Sequence, residues 1–524
     1  MATKHRRESY SGATVAAHFD NAAHTPTTDS LFRNVDSLAI TTLLNPGVRK
    51  TVRDRVRYVV SNVPYAKSML DTFVTHVVGP WASVAFPRGG IPETVREAVT
   101  DAFDEWAMAT GFWGKVKTML RAKIVDGEAF AMFTTDKTIV STSNSVTLNV
   151  RPIECDRVES YTQMITRENE FDGIRFDENS HPTEYRILKY HPGDYRMIRN
   201  IQFKSGDWIK AANVIHYFDT IRPEQVRGIS DFVSALDIPA LQKSYRSAVA
   251  ETAINAASVT AVLETDQVPE CFDDDNTSIG RCAMDVKPNT AFQFRRGSIL
   301  TMPEGWKAHQ FNAEQPTSSY DSFVRSLIAE MAACLCMPVN IAMCDSSQHN
   351  FASAKLDHMT YGDKIAAVRA DLSVDVLDRV FFAWLDEYAV RNRLDPRVVA
   401  ALHKTEWLFT ERANSDVMKD ASADNTRLVN GTTTRATLYA KDGRDWKRET
   451  DQALDEYAYI LRRWRERCAA NGLPEDTPCP ILAAGGVATA HAPTEDELEH
   501  DAEKKPQNNV AKPKTKTKTK KEND

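Results

Sequence analysis

The chain has no CxxC pair. Its eight cysteines, at 155, 271, 282, 334, 336, 344, 468 and 479, fall at irregular spacing, which indicates neither a disulfide framework nor a zinc module and makes a reducing cytoplasm the expected place of synthesis. It has no excess of basic residues either. With 65 Lys and Arg against 72 Asp and Glu the formal net charge is -7, so the surface is not built to hold nucleic acid by neutralising many phosphates, although DNA could pass without sticking. No apolar segment of signal-peptide length follows the charged start, Met1 to Tyr10, and no run approaches the roughly 18 apolar residues of a membrane span. Neither secretion nor membrane insertion is expected. A Walker loop and a GxSxG elbow are both missing, so two common signatures of NTP and ester chemistry are excluded.

What remains is a globular, multi-part protein. At 524 residues and 42% hydrophobic content the chain can fill two or three cores and is too long for one ordinary domain. Residues 1–48 are polar and close on the turn Asn45-Pro46-Gly47. From Val52 the apolar residues Val56, Val59, Val60, Val63, Leu70, Phe73, Val74 and Val77 recur at helical spacing, interrupted near Pro64. A second helical stretch follows Pro92. From Ile124 the texture becomes β-prone, with runs at Val146 to Val150, Gly173 to Phe176, Tyr185 to Tyr190 and Val214 to Phe218, which predicts a β-rich domain of open or barrel type. After Pro239 an Ala-rich helix carries Ala248, Ala250, Ala253, Ala256 and Ala257, small side chains that let neighbouring helices approach closely.

A small β-prone module separates it from a second helix, Ser318 to Met337, where Tyr320, Phe323, Val324, Leu327, Ile328, Met331 and Leu335 follow the i, i+3, i+4 rule and Pro338 ends the run. A polar stretch, Cys344 to Asn350, precedes a third helix from about Ser353 whose face carries Ile365, Val368, Leu372, Val376, Val380, Trp384 and Tyr388. Gly362 is expected to kink it. A further helical region reaches about Arg467 around Asn430-Gly431. Beyond Gly472, Pro, Ala, Gly and charge runs end in the Lys/Thr segment 512–521, which cannot bury a core and is expected to be disordered.

Several groups invite chemistry, and each has a plainer reading. On a helix Cys334 and Cys336 would point about 200° apart, so both could not ligate one ion, and buried thiols are expected. His349, His358, Asp345 and Asp357 could surround a metal, but a polar loop flanked by helix charges is the expectation. Asp273, Asp274 and Asp275 could hold a cation, or form a solvated acidic loop. Glu128, after Asp126-Gly127, has no matching base for general acid work, so a structural turn is expected. The Lys/Thr tail lacks aromatics that would stack on bases. No cofactor, metal or catalytic residue is assigned.

One stretch is more telling. A buried strand, Val214-Ile215-His216-Tyr217-Phe218, runs into a charged turn containing Arg222, Pro223, Gln225, Arg227, Gly228, Ile229 and Ser230, and then into the Ala-rich helix. This resembles the signature of the lambda-type bacteriophage portal proteins. Other landmarks follow in the family's order: Arg57, Asn62, Pro64, Tyr65 and Ala66; Asp126-Gly127-Glu128-Ala129-Phe130; Pro303-Glu304-Gly305-Trp306; Tyr320 with Phe323; and Asn350 to Lys355. In the last, Phe351, Ala352 and Lys355 replace the family's Tyr, Ser and Arg. Positive charge is kept and the bidentate phosphate geometry of Arg is not.

The resemblance spans roughly Arg53 to Asp451 and implies an α+β portal-like fold with a helical wing, a β-rich wing domain, a two-helix stem, a small α/β clip and a helical crown. The corresponding segments are a flexible arm (1–48), wing (49–235), stem helices (236–258 and 318–337), clip (259–317), tunnel loop (338–355), long kinked wing helix (356–396), crown (397–470) and disordered tail (471–524). It further implies a homo-oligomeric ring of about twelve copies with head-to-tail contacts, set at one vertex of the virion after assembly in the host cytoplasm. Double-stranded DNA would pass without sequence specificity, the terminase large subunit and then head–tail connector proteins would dock, and major capsid and scaffolding proteins would surround the ring. The loop residues Asp345, Ser346, Ser347, Gln348, His349, Asn350 and Lys355 would line the channel; Arg222, Pro223, Gln225, Arg227 and Gly228 would be structural. Two other readings compete: a DNA-processing enzyme of the packaging machinery, which would need clustered carboxylates or a phosphate loop, and a minor capsid protein without a channel.

Overall fold

A computed structural model describes residues 38–86, 90–140, 145–158, 169–195, 206–258, 262–265, 270–272, 278–281, 306–309, 319–410, 417–474 and 477–479. The fold is α+β, mostly helical with small antiparallel sheets, and the chain divides into two units, residues 1–443 and 444–524. Expectations for residues 1–37, for Asp273 to Asp275, for Pro303 to Gly305 and for the Lys/Thr tail lie outside the described residues.

After a short helical turn, Ile40–Leu43, prolines set the first two long helices. Asn45-Pro46-Gly47, expected as a turn, instead starts α1 (Pro46–Asn62): the Asn45 side chain accepts from the Val48 N–H at 3.0 Å and Pro46 takes the first position, where its missing N–H costs nothing. Pro64 then holds Val63 extended (φ -111°, ψ 109°), which ends α1 and opens α2 (Pro64–Val78). After strand β1 (Ala82–Ala85) come α3 (Glu93–Thr110) and α4 (Phe112–Asp126), divided by Gly111 at φ 62°. Helix α4 was not foreseen, yet Phe112, Val116, Met119, Leu120 and Ile124 line its buried side at helical spacing.

Two small sheets follow. Strands β2 (Glu128–Thr135), β3 (Leu148–Ile153) and, later, Val214–Phe218 form one of order β3-β2-β8, with β2 in the centre. Between them lie β4 (Glu170–Phe171), β5 (Ile174–Phe176), β6 (Pro182–Leu188) and β7 (Gly206–Lys210), paired in sequence order, and β8 is Val214–Phe218. Both sheets are open. Phe130, Ile153, Cys155, Val158, Ile174, Tyr185, Ile187 and Val214 form a satellite core of residues from both.

Helix α5 (Ile238–Ser258) leads to β9 (Val262–Thr265), the pair β10 (Glu270–Phe272) and β11 (Ser278–Arg281), and β12 (Trp306–His309), which returns antiparallel to β9. Helix α6 (Ser319–Ala333) comes back beside α5, where Tyr245 stacks on Tyr320 at 5.7 Å and meets Phe323 edge-on at 4.7 Å. It ends earlier than the periodicity suggested. Cys334 and Cys336 therefore lie in the turn after it, Cys336 exposed at φ 50°, and are not a buried helical pair.

After the short α7 (Val339–Met343), α8 (Phe351–Leu372) runs unbroken through Gly362, so the kink expected there is absent. The irregularity is a π turn, Ser373–Asp378, that leads into α9 (Arg379–Asn392). Val368, Leu372, Val376 and Val380 are all buried and repeat every four residues. On a 3.6-residue helix that spacing drifts about 40° per step, and a wider turn takes up the drift.

Helix α10 (Pro396–Leu402) is followed by β13 (Glu406–Phe409), which pairs with β1 and so joins the two ends of the main core. Phe103 sits in that core with five rings around it: Trp106, Phe112, Phe381, Trp384 and Trp407, at centroid distances of 5.1–6.1 Å. The expected single helical region beyond is three helices: α11 (Val417–Val429), α12 (Arg435–Lys441) and, in the second unit, α13 (Trp446–Ala470). Phe103→Ala removes the ring that α3, α4, α9 and β13 share and is expected to cost about 3–5 kcal/mol, read as a lower urea midpoint with far-UV circular dichroism unchanged before the transition.

Candidate functional site

The turn that carries the sequence signature encloses a buried charge cluster. Gln225 fixes the turn, accepting from the Ile221 N–H at 2.9 Å and donating to the Arg227 carbonyl at 2.9 Å. This aims Arg227 inward, where its guanidinium meets Glu128 through two hydrogen bonds, Nε to Oε2 at 2.8 Å and Nη2 to Oε1 at 2.6 Å. Arg227 also donates to the Asp172 carbonyl at 2.7 Å. The Gly228 N–H donates to Glu128 Oε2 at 3.2 Å, and His216 Nε2 lies 3.2 Å from the same oxygen. His216 reaches it because β2 and β8 pair Glu128 with Phe218 and Phe130 with His216, leaving the two polar side chains diagonal on one face. The imidazole is stacked between Phe130 and Phe218, at 4.2 and 4.3 Å.

Helix α1 supplies the rest. Arg49, Arg53 and Arg57 repeat every four residues and share a face: Arg49 donates to Glu128 at 3.1 Å and also to Asp172, Arg53 reaches Asp156 at 2.8 Å, and Arg57 clasps Asp126 at 2.7 and 2.8 Å. Four arginines are thus matched by Asp126, Glu128, Asp156 and Asp172. Glu128 is fully buried and Arg227 is 2% exposed. Burial alone would push the Glu128 carboxyl up, but Arg227, the His216 hydrogen bond and Arg49 hold it well below the usual range. Asp156 is brought down to about 2, Arg53 and Arg57 outweighing its burial. Burial lowers His216, against the pull of Glu128.

Two glycines allow the approach. A Cβ on Gly228 would overlap the Gly127 carbonyl, and one on Gly127, at φ 90°, would overlap the Ile229 backbone. Glu128, expected in a structural turn, is thus the first residue of β2 and the hub of the cluster. An ionised carboxylate with every neighbour a donor is no general acid. Of the signature residues, Gln225, Arg227 and Gly228 are buried, while Arg222 and Pro223 are exposed on the turn. Sequence reading missed Arg49, Asp156 and Asp172, and placed Arg53 only as the edge of the resemblance. The four-residue Arg repeat in α1 was the available signal.

The second group is the polar loop. It runs over residues 344–350, between α7 and α8, where the polar stretch was expected. Asp345 Oδ1 accepts from the Ser347 N–H at 2.9 Å, His349 N–H donates to the Ser346 carbonyl at 3.1 Å, and Asn350 caps α8 by accepting from the Ser353 N–H at 2.8 Å. The Ser347 backbone and hydroxyl bonds, with Arg325 behind them, lower the Asp345 pKa. Gln348 and His349 border an open groove of about 590 Å³ along Ser322, Arg325 and Ser326 of α6. Lys355 is exposed one turn into α8. His358 is hydrogen-bonded to Asn340 at 3.1 Å. Among the described residues no group of three or more His, Cys, Asp or Glu side chains is arranged to hold a metal ion, and no helix is long and apolar enough to cross a membrane.

The turn at the root of the long exposed helix α5 is thus held by a buried Arg–carboxylate cluster. Residues 33–369 match the family model of phage portal proteins of the lambda family, more than half of the chain, and the chain belongs to that family. It is a portal protein, a structural component of the virion. Among solved structures it is similar to a chain of the virion of a native gene transfer agent particle, with 11% identity over 78% of this chain and 94% of that one and a TM-score of 0.43. It is also similar to chains in the neck of the empty particle computed with C6 symmetry (10%, 78% and 95%, TM-score 0.44) and in the neck of the native particle computed with C12 symmetry (10%, 74% and 92%, TM-score 0.41). No curated protein matches.

Two predictions follow from the cluster. Glu128→Gln leaves three buried guanidinium groups short of charge and is expected to destabilise the fold by about 3–5 kcal/mol; a thermal midpoint equal to wild type would remove the hub role. Acid should weaken the contribution of this cluster steadily. His216, lowered from 6.5, stays neutral in the folded chain while the unfolded chain takes up its proton, so stability falls as pH drops below about 6.5. The fall steepens below about 4.5, where unfolded Glu128 and then Asp156 protonate, and continues toward the folded Asp156 value of about 2. Unfolding midpoints measured across this range check the slope.

Proposed function

We propose that the chain forms a ring of about twelve copies at one capsid vertex, through whose channel double-stranded DNA is packaged and later ejected. Membership in the lambda portal family is the observation that carries this reading. The build of α5 supports it. Along 21 residues this helix packs in its own chain chiefly against α6, and it leaves Leu241 and Ile254 exposed beside Ala248 and Ala250, a surface suited to close approach by neighbouring copies. On this reading 49–235 is the wing, α5 and α6 with their flanks (236–258 and 318–337) the stem, 259–317 the clip, 338–355 the region of the tunnel loop, 356–396 the long wing helix and 397–470 the crown.

Passage needs no covalent step. A duplex presents phosphates along its whole length, so a strongly basic wall would trap it, whereas an acidic chain with one sparse ring of positive charge lets it slide. The net charge of -7 fits the first part. For the second, Lys355 stands exposed beside the polar loop, at the start of α8. A terminase large subunit that hydrolyses ATP would dock at the clip and give way to head–tail connector proteins, with major capsid and scaffolding proteins around the wing; the chain itself needs no nucleotide.

Mass measurement and electron micrographs of the purified protein test the ring: closed particles with an axial hole are expected, and solid bodies or monomers under all salt conditions would overturn it. Lys355→Glu is expected to leave ring mass unchanged and to lower the DNA content of particles assembled from it. Unchanged genome content would remove the channel role of Lys355.

A further inference from the structure

Neighbouring residues of β8 face opposite ways. His216 joins the Glu128 cluster, while Tyr217 lies on the other face, in the main core. There the π turn Ser373–Asp378 packs on the strand. The Tyr217 side chain is 1% exposed, and among the described residues its hydroxyl has no hydrogen-bond partner. Buried polar groups are paired almost without exception, so a phenol kept in this state points to something that meets it.

The charges around it say what. Burial, and then the carboxylates of Asp219, Asp371, Asp375 and Asp231, push the Tyr217 pKa up, so four acids lie near the hydroxyl. Three cations act on those acids. Lys123 of α4 reaches Asp219 at 2.5 Å and Asp231 at 3.0 Å, Lys364 acts on Asp231, and Arg379 acts on Asp375 while donating to the Ala211 carbonyl at 3.1 Å. Four negative charges thus face three positive ones, and Lys123 is committed to Asp219 and Asp231. The shortfall falls on Asp371 and Asp375, one helical turn apart: burial, Asp371 and Asp219 together raise the Asp375 pKa against the pull of Arg379. Among the described residues no three acidic side chains are arranged as direct metal ligands. That arrangement does not serve Ca²⁺, which needs many direct oxygen ligands, and it suits Mg²⁺, which dehydrates reluctantly and keeps most of its waters.

We propose that the niche between β8 and the π turn binds a hydrated Mg²⁺ ion, held through its water shell by Asp371, Asp375 and Asp219 and by the Tyr217 hydroxyl. The carboxylates and the phenol oxygen accept hydrogen bonds from waters on the ion, which gives the hydroxyl its partner and supplies the charge that Lys123, Lys364 and Arg379 leave short. Asp219 and Asp231 flank the signature turn, whereas Asp371 and Asp375 belong to α8 and its π turn. The ion therefore ties the long helix to the root of α5. No part of this depends on the ring reading.

Isothermal titration calorimetry of the full-length protein, stripped with EDTA and titrated with MgCl₂, tests it, with NaCl of equal ionic strength as the control. Wild type is expected to bind one Mg²⁺ per chain and to unfold at a higher temperature as Mg²⁺ is added, an effect that NaCl does not reproduce. Hexaamminecobalt(III), which resembles the hydrated ion and does not exchange its ligands, should compete for the same site. Asp371→Asn, at an exposed position, should raise the Kd for Mg²⁺ several-fold, and so should Tyr217→Phe, which removes only the hydroxyl; far-UV circular dichroism checks that both keep their helices. No Mg²⁺ heat and no thermal shift beyond the NaCl control would overturn the site. Binding as tight in both variants as in wild type would place the ion elsewhere and overturn it too, and Mg²⁺ that hexaamminecobalt(III) fails to displace would overturn the water-mediated mode.

Discussion

The carboxylate of Glu128 is buried completely and cannot stay there alone. An ion in a low-dielectric interior must be matched in charge and in hydrogen bonds, or its burial costs several kcal/mol. Arg227 answers both needs through its two parallel bonds, and the demand spreads from there. A guanidinium has five N–H groups, so Arg227 recruits the Asp172 carbonyl, while Arg49 and Arg53 in turn require Asp172 and Asp156. The result ties α1, the start of β2, β8, the tight turn at Asp172 and the signature turn into one charge-balanced group. Several of these elements are separated by many residues in sequence. Each is fixed because the others would otherwise hold an unpaired charge.

That group lies where the chain passes from the β-rich region into α5. The signature turn cannot shift without breaking the Arg227 pair, and Gly127 and Gly228 press the two backbones together at the same point. The direction in which α5 leaves is therefore set by electrostatics at its root, since among the described residues its middle packs chiefly against α6. The opposite flank of the main core is held by different physics: Phe103 and its five surrounding rings, the β1–β13 pairing, and Arg369, which donates to the carbonyls of Val77, His76 and Thr410. Apolar packing and ionic pairing thus hold different ends of one unit.

How far the sequence could be read follows from what each residue depends on. Periodic helices such as α2 and α6 were legible because burial of one face repeats in the residue order itself. Strand β8 and the signature turn were legible for the same reason and through family resemblance. Glu128 was quoted as a landmark and read as structural, but its partners were not foreseen. Its role depends on Arg49, Asp172 and Arg227, and no local pattern states that these meet. The bend expected at Gly362 illustrates another limit. Glycine permits irregularity without demanding it, and the demand came instead from the four-residue repeat of Val368, Leu372, Val376 and Val380, visible in the sequence but read there as an ordinary face. Strand β13 is four residues long and pairs with a strand more than three hundred positions earlier, so its local signal was too short to stand out.

The contrast between inside and outside is itself informative. Within the first unit the buried charges are matched and the rings are packed on several sides. The surfaces of α5, the first turns of α8 and the middle of α13 are different: Leu241, Ile254, Leu356, Met359, Leu454 and Tyr457 are half exposed or more. Single exposed apolar residues mean little. Here they recur along long helices that have few neighbours in their own chain. A subunit whose fold is fixed by internal ion pairs can leave such helices bare, because its stability does not rest on covering them. Such helices can give their apolar side chains to a contact outside their own fold.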